Sequence, residues 1–144
     1  MDPFEESFPF LSPEERRLLA VRSRERVYAP GEVLLEEGAS FSALYVIAAG
    51  TVSVEKAHFG GRIPLAELGP GALFGEISYL DGSPATASIV ARTEVTAHVI
   101  EGIDEVLASE PALAAGFYRS LAVLLAGRLR YGNEDRVVSS LIWG

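Results

Sequence analysis

The sequence predicts a mainly β domain with flanking helices, and three segments of different periodicity along the chain predict it. Between Arg26 and Ile100, short runs rich in Val, Ile and Leu are broken by Gly, Pro and Asp at intervals of about eight to twelve residues, the spacing of a sandwich or barrel of short strands. Ahead of that stretch stands a helix-start pattern. Beyond Gly102 apolar residues recur at helical spacing. With 144 residues, 49% of them hydrophobic, the chain is long enough to bury one core and too short for two. The expected organisation is a single domain over 1–144, with a helix over 12–21, a β-barrel over 26–101, helices over 103–133 and a tail over 134–144.

Ser12 opens the first element. It is followed by Pro13 and then by Glu15, which puts an N-cap hydroxyl, a first-turn proline and a capping-box carboxylate in register for a helix over Pro13 to Val21. The barrel region is punctuated by Pro30-Gly31, Gly38-Ala39, Gly50, Gly60-Gly61, Gly69-Pro70-Gly71 and Asp81-Gly82, which supply the backbone freedom of tight turns. Strands are expected at Leu44 to Ile47, Thr51 to Glu55, Ile63 to Leu68, Ser88 to Ala91 and Val95 to Ile100, with His58 to Arg62 as a hairpin tip. After Gly102, Ile103, Val106 and Leu107 mark a short helix. Leu113, Phe117, Leu121, Leu124, Leu125 and Leu129 mark a long one, starting at Pro111 and ending at Gly132-Asn133. The small residues Ala114, Ala115, Gly116, Ala122, Ala126 and Gly127 allow that helix a close neighbour, either the barrel or a second copy. Leu141, Ile142 and Trp143 mark the tail as a segment that docks on the barrel or on a partner.

Charge and composition remove several function classes. A net charge of -8 and a pI near 4.7 oppose binding of a phosphate backbone, so this chain alone is not expected to contact nucleic acid. The absence of cysteine excludes disulfides, thiolate nucleophiles and Cys-based zinc sites. Uninterrupted apolar stretches, such as Leu121 to Ala126, fall short of the roughly 20 residues that span a bilayer, and no transmembrane segment is expected. The first residues, Met1-Asp-Pro-Phe-Glu-Glu, are acidic where a secretory signal opens basic, which makes the cytoplasm the expected location. His58 and His98 are too few and too scattered for a catalytic metal site. Ser12, Ser83 and Ser139 lie in no nucleophile-elbow pattern, and neither a P-loop nor a dinucleotide fingerprint occurs. The expectation is a protein that senses or docks rather than an enzyme, with no cofactor and no metal.

One segment carries more specific information: Leu73-Phe-Gly-Glu-Ile-Ser-Tyr-Leu-Asp-Gly-Ser-Pro-Ala-Thr-Ala-Ser-Ile-Val-Ala91. It resembles the phosphate-binding cassette of cyclic-nucleotide-binding domains, the family of the catabolite activator protein, kinase regulatory subunits and cyclic-nucleotide-gated channels. Pro30-Gly31-Glu32, Glu37-Gly38-Ala39, Leu44-Tyr45-Val46-Ile47 and Gly50-Thr51-Val52 follow the family's order, so the resemblance covers most of the chain. It implies a double-stranded β-helix, jelly-roll-like, with an N-terminal helix and a C-terminal helix pair. It also implies a ligand site at Phe74, Gly75, Glu76, Ile77, Ser78, Pro84, Ala85, Thr86, Ala87 and Ser88. In such a cassette the glutamate at the place of Glu76 accepts from the ribose 2′-hydroxyl, the glycine at Gly75 permits close backbone approach, and a short helix follows.

The family's cassette places an arginine after the proline that matches Pro84, and here that position is Ala85. Loss of a charge-assisted phosphate contact costs about 1.5 to 3 kcal/mol, or roughly one to two decades of affinity. Thr86 stands where cGMP-selective members tend to carry threonine. Arg62, Arg92, Arg128 and Arg130 are candidates for the missing charge, against the commoner surface role of arginine. Tyr118, Arg128 and Tyr131 are set against the alternatives of a lid over a purine and a solvated or dimer face. Three outcomes stay open: weak binding of a cyclic nucleotide such as cAMP or cGMP, a different ligand, or an empty structural pocket. The resemblance implies a regulatory sensor in which ligand binding repositions the C-terminal helices. The alternative is a degenerate, non-binding domain used for dimerisation or protein interaction. Partners are accordingly a cyclic nucleotide and a homodimer mate or separate effector protein.

Overall fold

A computed structural model describes residues 2–40 and 42–132 of the chain, and the tail expected over 134–144 lies outside them. Helices α1 (Pro3–Ser7) and α2 (Pro13–Val21) precede strands β1 (Ser23–Tyr28), β2 (Val33–Leu35), β3 (Leu44–Ala49), β4 (Val52–His58), β5 (Gly61–Leu68) and β6 (Leu73–Phe74). Helix α3 (Glu76–Asp81), strands β7 (Ser88–Ala91) and β8 (Val95–Ile100), and helices α4 (Asp104–Ser109) and α5 (Pro111–Gly132) follow. The strands form two antiparallel four-stranded sheets, ordered β1-β8-β3-β6 and β2-β7-β4-β5. This is the jelly-roll barrel with flanking helices.

Local chemistry explains the element boundaries. The Ser12 hydroxyl accepts from Glu15 N at 3.2 Å while Ser12 N donates to the Glu15 carboxylate at 2.8 Å, a complete capping box that starts α2. The β4–β5 hairpin closes at His58↔Gly61 through Phe59 and Gly60, whose φ values of 45° and 81° are both left-handed, as a tight two-residue turn requires. Differences from the sequence expectation have physical causes. The barrel begins at Ser23 rather than Arg26, because β1, for which no strand was expected, becomes one by pairing its charged sequence with β8 along its whole length. α1 is a five-residue helix capped by Asp2, too short to show a period.

Two apolar clusters meet on the first sheet. Tyr45, Ile47, Ala97 and Val99 face Val52, Val54 and Ile89 inside the barrel. Leu44, Val46, Leu73 and Ile100 face the helices, against Phe4, Phe8, Leu19, Ile103, Leu113, Phe117 and Leu121. β3 is therefore buried on both faces, which is why it reads as an unbroken apolar run.

α5 is seated by that second cluster. Phe117 is fully buried and stacks on Phe8 at 5.6 Å. A Cβ at Gly116 would collide with the Phe10 carbonyl, so this small residue serves the approach of the N-terminal segment to the helix. The Ser120 hydroxyl accepts from Phe10 N at 3.3 Å and donates to Gly116 O at 2.8 Å. By length and composition alone Pro111–Arg130 could cross a bilayer, a property the contiguous apolar runs of the sequence did not show. In the fold one of its faces is the wall of the helical core.

Because Phe117 is enclosed by Phe8, Tyr79 and the first sheet, Phe117→Ala is expected to lower stability by about 3–5 kcal/mol in urea unfolding. Val123→Ala, on the half-exposed face of the same helix, is expected to change it by no more than about 0.5 kcal/mol.

Candidate functional site

The site is built where β6 turns into α3. β6 pairs with Tyr45 and Val46 of β3, and the Tyr45 ring stacks on Phe74 at 4.8 Å. Burial pushes the Tyr45 hydroxyl up to about 12, so the ring is a neutral wall at every physiological pH. Gly75 then takes φ 89° as the N-cap of α3. A Cβ there would lie 2.5 Å from the Ala43 carbonyl oxygen, so both backbone conformation and space demand glycine. α3 ends at Gly82, φ 74°, and Asp81 accepts from Ser83 N at 2.8 Å and from its hydroxyl at 2.6 Å. Those bonds, the side-chain one first, hold the Asp81 carboxyl below its ordinary value.

The return segment is clamped from the other side. Gly38 N donates to Ala85 O at 2.7 Å, Ala85 N donates to Ala39 O at 2.9 Å, and Glu37 N donates to the Ser88 hydroxyl at 2.9 Å. Between α3 and this segment lies a pocket with about 40 Å³ of open space, lined by Phe74, Gly75, Glu76, Ile77, Ser78, Ala85, Thr86 and Ala87, with Leu35, Val54 and Ile89 as the barrel wall. Pro84 and Ser88, also expected from the sequence, do not line it. Ser88 instead serves the clamp from Glu37.

Glu76 is the polar centre of the pocket. Its side chain is 3% exposed, and Oε1 is paired with Arg128 Nη1 from α5. Arg128 Nη2 also donates to the Leu73 carbonyl at 2.5 Å. Glu76 Oε2 has no hydrogen-bond partner among the described residues. Of the four arginines singled out from sequence, Arg128 alone makes this contact. Arg62 faces Glu55 at 3.8 Å on the outside of the β4–β5 hairpin, and Arg92 and Arg130 are exposed. Tyr118 is 45% exposed and meets Phe117 edge-on rather than the pocket, and the Tyr131 side chain lies outside the description.

Lys56, which the sequence pattern did not single out, also reaches the cassette. Its Nζ donates to the Thr86 carbonyl at 2.5 Å and stands 3.8 Å from Glu37 Oε2. The available signal was its place on β4, two residues beyond Val54 on the same face. On the cassette's outer side, the Tyr79 hydroxyl of α3 donates to Asp104 of α4 at 2.7 Å. Burial, and then this bond, raise its pKa far above the ordinary tyrosine value. Among the described residues no group of acidic, His or Cys side chains could hold a metal ion.

Removing one member of the Glu76–Arg128 pair strands the other in a buried setting. Arg128→Met is therefore expected to cost about 3 kcal/mol or more in chemical denaturation, and Glu76→Gln in the same chain to recover much of that loss. Additive effects of the two substitutions would show that the pair contributes no coupling.

The comparisons with known proteins agree with this geometry. Residues 25–104 match the family model described as cyclic nucleotide-binding domain. The chain is 40% identical over 131 residues to the cyclic AMP receptor protein of Thermus thermophilus, covering 89% of this chain and 59% of that protein. It is 31% identical over 96 residues to a cAMP-dependent protein kinase regulatory subunit of Dictyostelium discoideum, covering 66% of this chain and 29% of that one. The crystal structure of a cyclic nucleotide-binding domain from Methylobacillus flagellatus superposes with a TM-score of 0.82 at 30% identity, covering 91% of this chain and 80% of that one. The chain thus spans less than two thirds of the length of these two curated relatives. These two relatives are named as a receptor protein and a regulatory subunit. A cassette in which Gly75 delivers a buried Glu76 to a barrel pocket, matched to that family model over residues 25–104, makes the chain a member of the cyclic nucleotide-binding domain family.

Proposed function

We propose that this chain is a regulatory sensor module for a cyclic nucleotide such as cAMP or cGMP, and that occupancy of the pocket between residues 74 and 88 shifts the position of α5. The observation that carries the reading is the state of Glu76. One carboxylate oxygen is tied to α5 through Arg128, while the other is buried with no partner among the described residues. A buried unpaired acceptor of this kind costs about 1–3 kcal/mol, and a ribose hydroxyl donating to Oε2 would remove that cost. The phosphate in this reading lies beside Ala85 and Thr86, against the clamped return segment.

The small open volume supports coupling rather than a preformed cup. About 40 Å³ holds a water or two, so a nucleotide enters only if the cassette and the elements behind it separate. A ligand that shares Glu76 with Arg128 binds differently to the two positions of α5, which is the thermodynamic requirement for a population shift. Tyr79 gives the cassette a second link to the helices, through Asp104 and the edge-on contact with Phe117 at 5.9 Å. The output passes through the exposed side of α5, where Tyr118, Val123 and Leu129 are accessible, to a second copy or to a separate effector. The module works in the cytoplasm and performs no catalysis.

Calorimetric titration with cAMP and cGMP tests the ligand. The expected outcome is saturable binding that Glu76→Ala weakens by at least about tenfold, the loss of a hydrogen bond to a charged group. Heat-silent titrations with both nucleotides, matched by an unchanged melting temperature, would move the function to the platform role of α5. Sedimentation at micromolar concentration tests that surface directly. A dimer mass is expected, and a monomer mass counts against a homodimeric output.

A further inference from the structure

We infer that Lys56 is the cation that meets the ligand's phosphate, in place of the side chain that stops at Ala85; this assignment rests on the cyclic-nucleotide reading of the pocket. A cyclic phosphate diester is an anion at every physiological pH, and an anion taken into a partly dry pocket needs a cation beside it. Arg128 is engaged with Glu76 and the Leu73 carbonyl on the α3 side. On the side of the return segment Ala85 is buried and carries no charge, and Lys56 is a cation in contact there.

Strand geometry puts it there. The bulge in the β4–β5 ladder lies on β5, where Val54↔Ala66 is followed by Glu55↔Pro64, so β4 itself alternates without interruption. Val52, Val54 and Lys56 therefore share the face that lines the barrel, and Val54 is already a wall of the pocket. Glu55, on the opposite face, pairs outward with Arg62. The Lys56 ammonium ends on the Thr86 carbonyl, one residue from Ala85, with its side chain 27% exposed. Its remaining charged neighbour, Glu37, is 3.8 Å away and already accepts from Ala57 N at 2.9 Å. Lys56 is thus held behind the Thr86 wall of the pocket by a neutral acceptor and a loose ion pair, both of which a phosphate oxygen can outcompete. Its flexible four-carbon stem lets the ammonium swing from the Thr86 carbonyl to a phosphate oxygen beside it once the cassette has opened.

The test is calorimetric titration of the full chain with cAMP and with cGMP in four forms: wild type, Lys56→Met, Ala85→Arg, and the double variant. Wild type is expected to bind. Lys56→Met is expected to weaken binding about ten- to a hundredfold, the range for a lost hydrogen bond to a charged group, and Ala85→Arg to restore it in the Lys56→Met background. Wild-type affinity in Lys56→Met overturns the assignment, as does failure of Ala85→Arg to restore binding there, which would mark Lys56 as a packing residue. If wild type does not bind and Ala85→Arg does, Lys56 is not the phosphate cation although the pocket reading stands. If none of the four forms binds either nucleotide, the pocket reading itself falls. A thermal melt of each variant separates loss of fold from loss of contact, and Lys56→Gln replaces Lys56→Met should the latter unfold.

Discussion

A carboxylate taken out of water costs several kcal/mol unless a cation and hydrogen-bond donors meet it, and Glu76 is taken almost entirely out of water. The cation it finds lies 52 residues further along the chain, on the last helix. That one requirement ties together parts of the fold that share no strand. Glu76 is delivered by Gly75, whose left-handed conformation against the Ala43 carbonyl is possible only for glycine. Arg128 is delivered by α5, whose position is set two to three turns earlier by Phe117, Leu121 and the close approach of Gly116 to Phe10. Neither end of the pair can move without leaving a charge stranded, so cassette and helix are energetically one unit.

The first sheet makes that unit possible by being buried on both faces. Alternate residues of β3 serve different cores: Tyr45 and Ile47 fill the barrel, while Leu44 and Val46 hold the helices. Each fully buried large side chain contributes roughly 1.5–3 kcal/mol, so the helical layer is not an ornament on the barrel but part of what holds its strands. α4 and α5 are therefore joined to both the sheet and the cassette. Tyr79 shows the connection at the level of single atoms, since it belongs to α3, donates to α4 and packs its ring edge on α5.

Legibility in the sequence followed the range of the interaction. The start of α2 was written in Ser12, Pro13 and Glu15 because a capping box is complete within four residues. β7 and β8 were legible because Ser88–Ala91 and Val95–Ile100 carry their apolar pattern and turn residues locally. β1 was not read as a strand, and the barrel was started three residues late, because Ser23-Arg-Glu-Arg has no strand pattern of its own and is made a strand by β8. The cassette was legible as a contiguous motif, and eight of its ten expected residues do line one pocket. Arg128 could be named only as one of four candidate arginines, since its partner is fixed by the packing of α5. Lys56 escaped notice because its inward face depends on the register of the β4–β5 ladder, which places the extra residue on β5 and leaves β4 alternating.

Ala85 admits opposite readings of the pocket, and the balance of charge is an argument for the proposed one. A cassette that merely filled space would be most stable with apolar residues throughout, because replacing a buried ion pair with well-packed hydrophobic residues is often neutral or stabilising by about 1–4 kcal/mol. This cassette instead keeps a buried glutamate with one oxygen unsatisfied among the described residues, and brings two cations to its two sides. A small anionic ligand bearing a hydroxyl donor would relieve each of these features at once. The donor would meet Glu76, and the negative charge would balance Lys56 where Ala85 offers none. The polar residues around this pocket therefore make better physical sense as half of a complex than as a finished core.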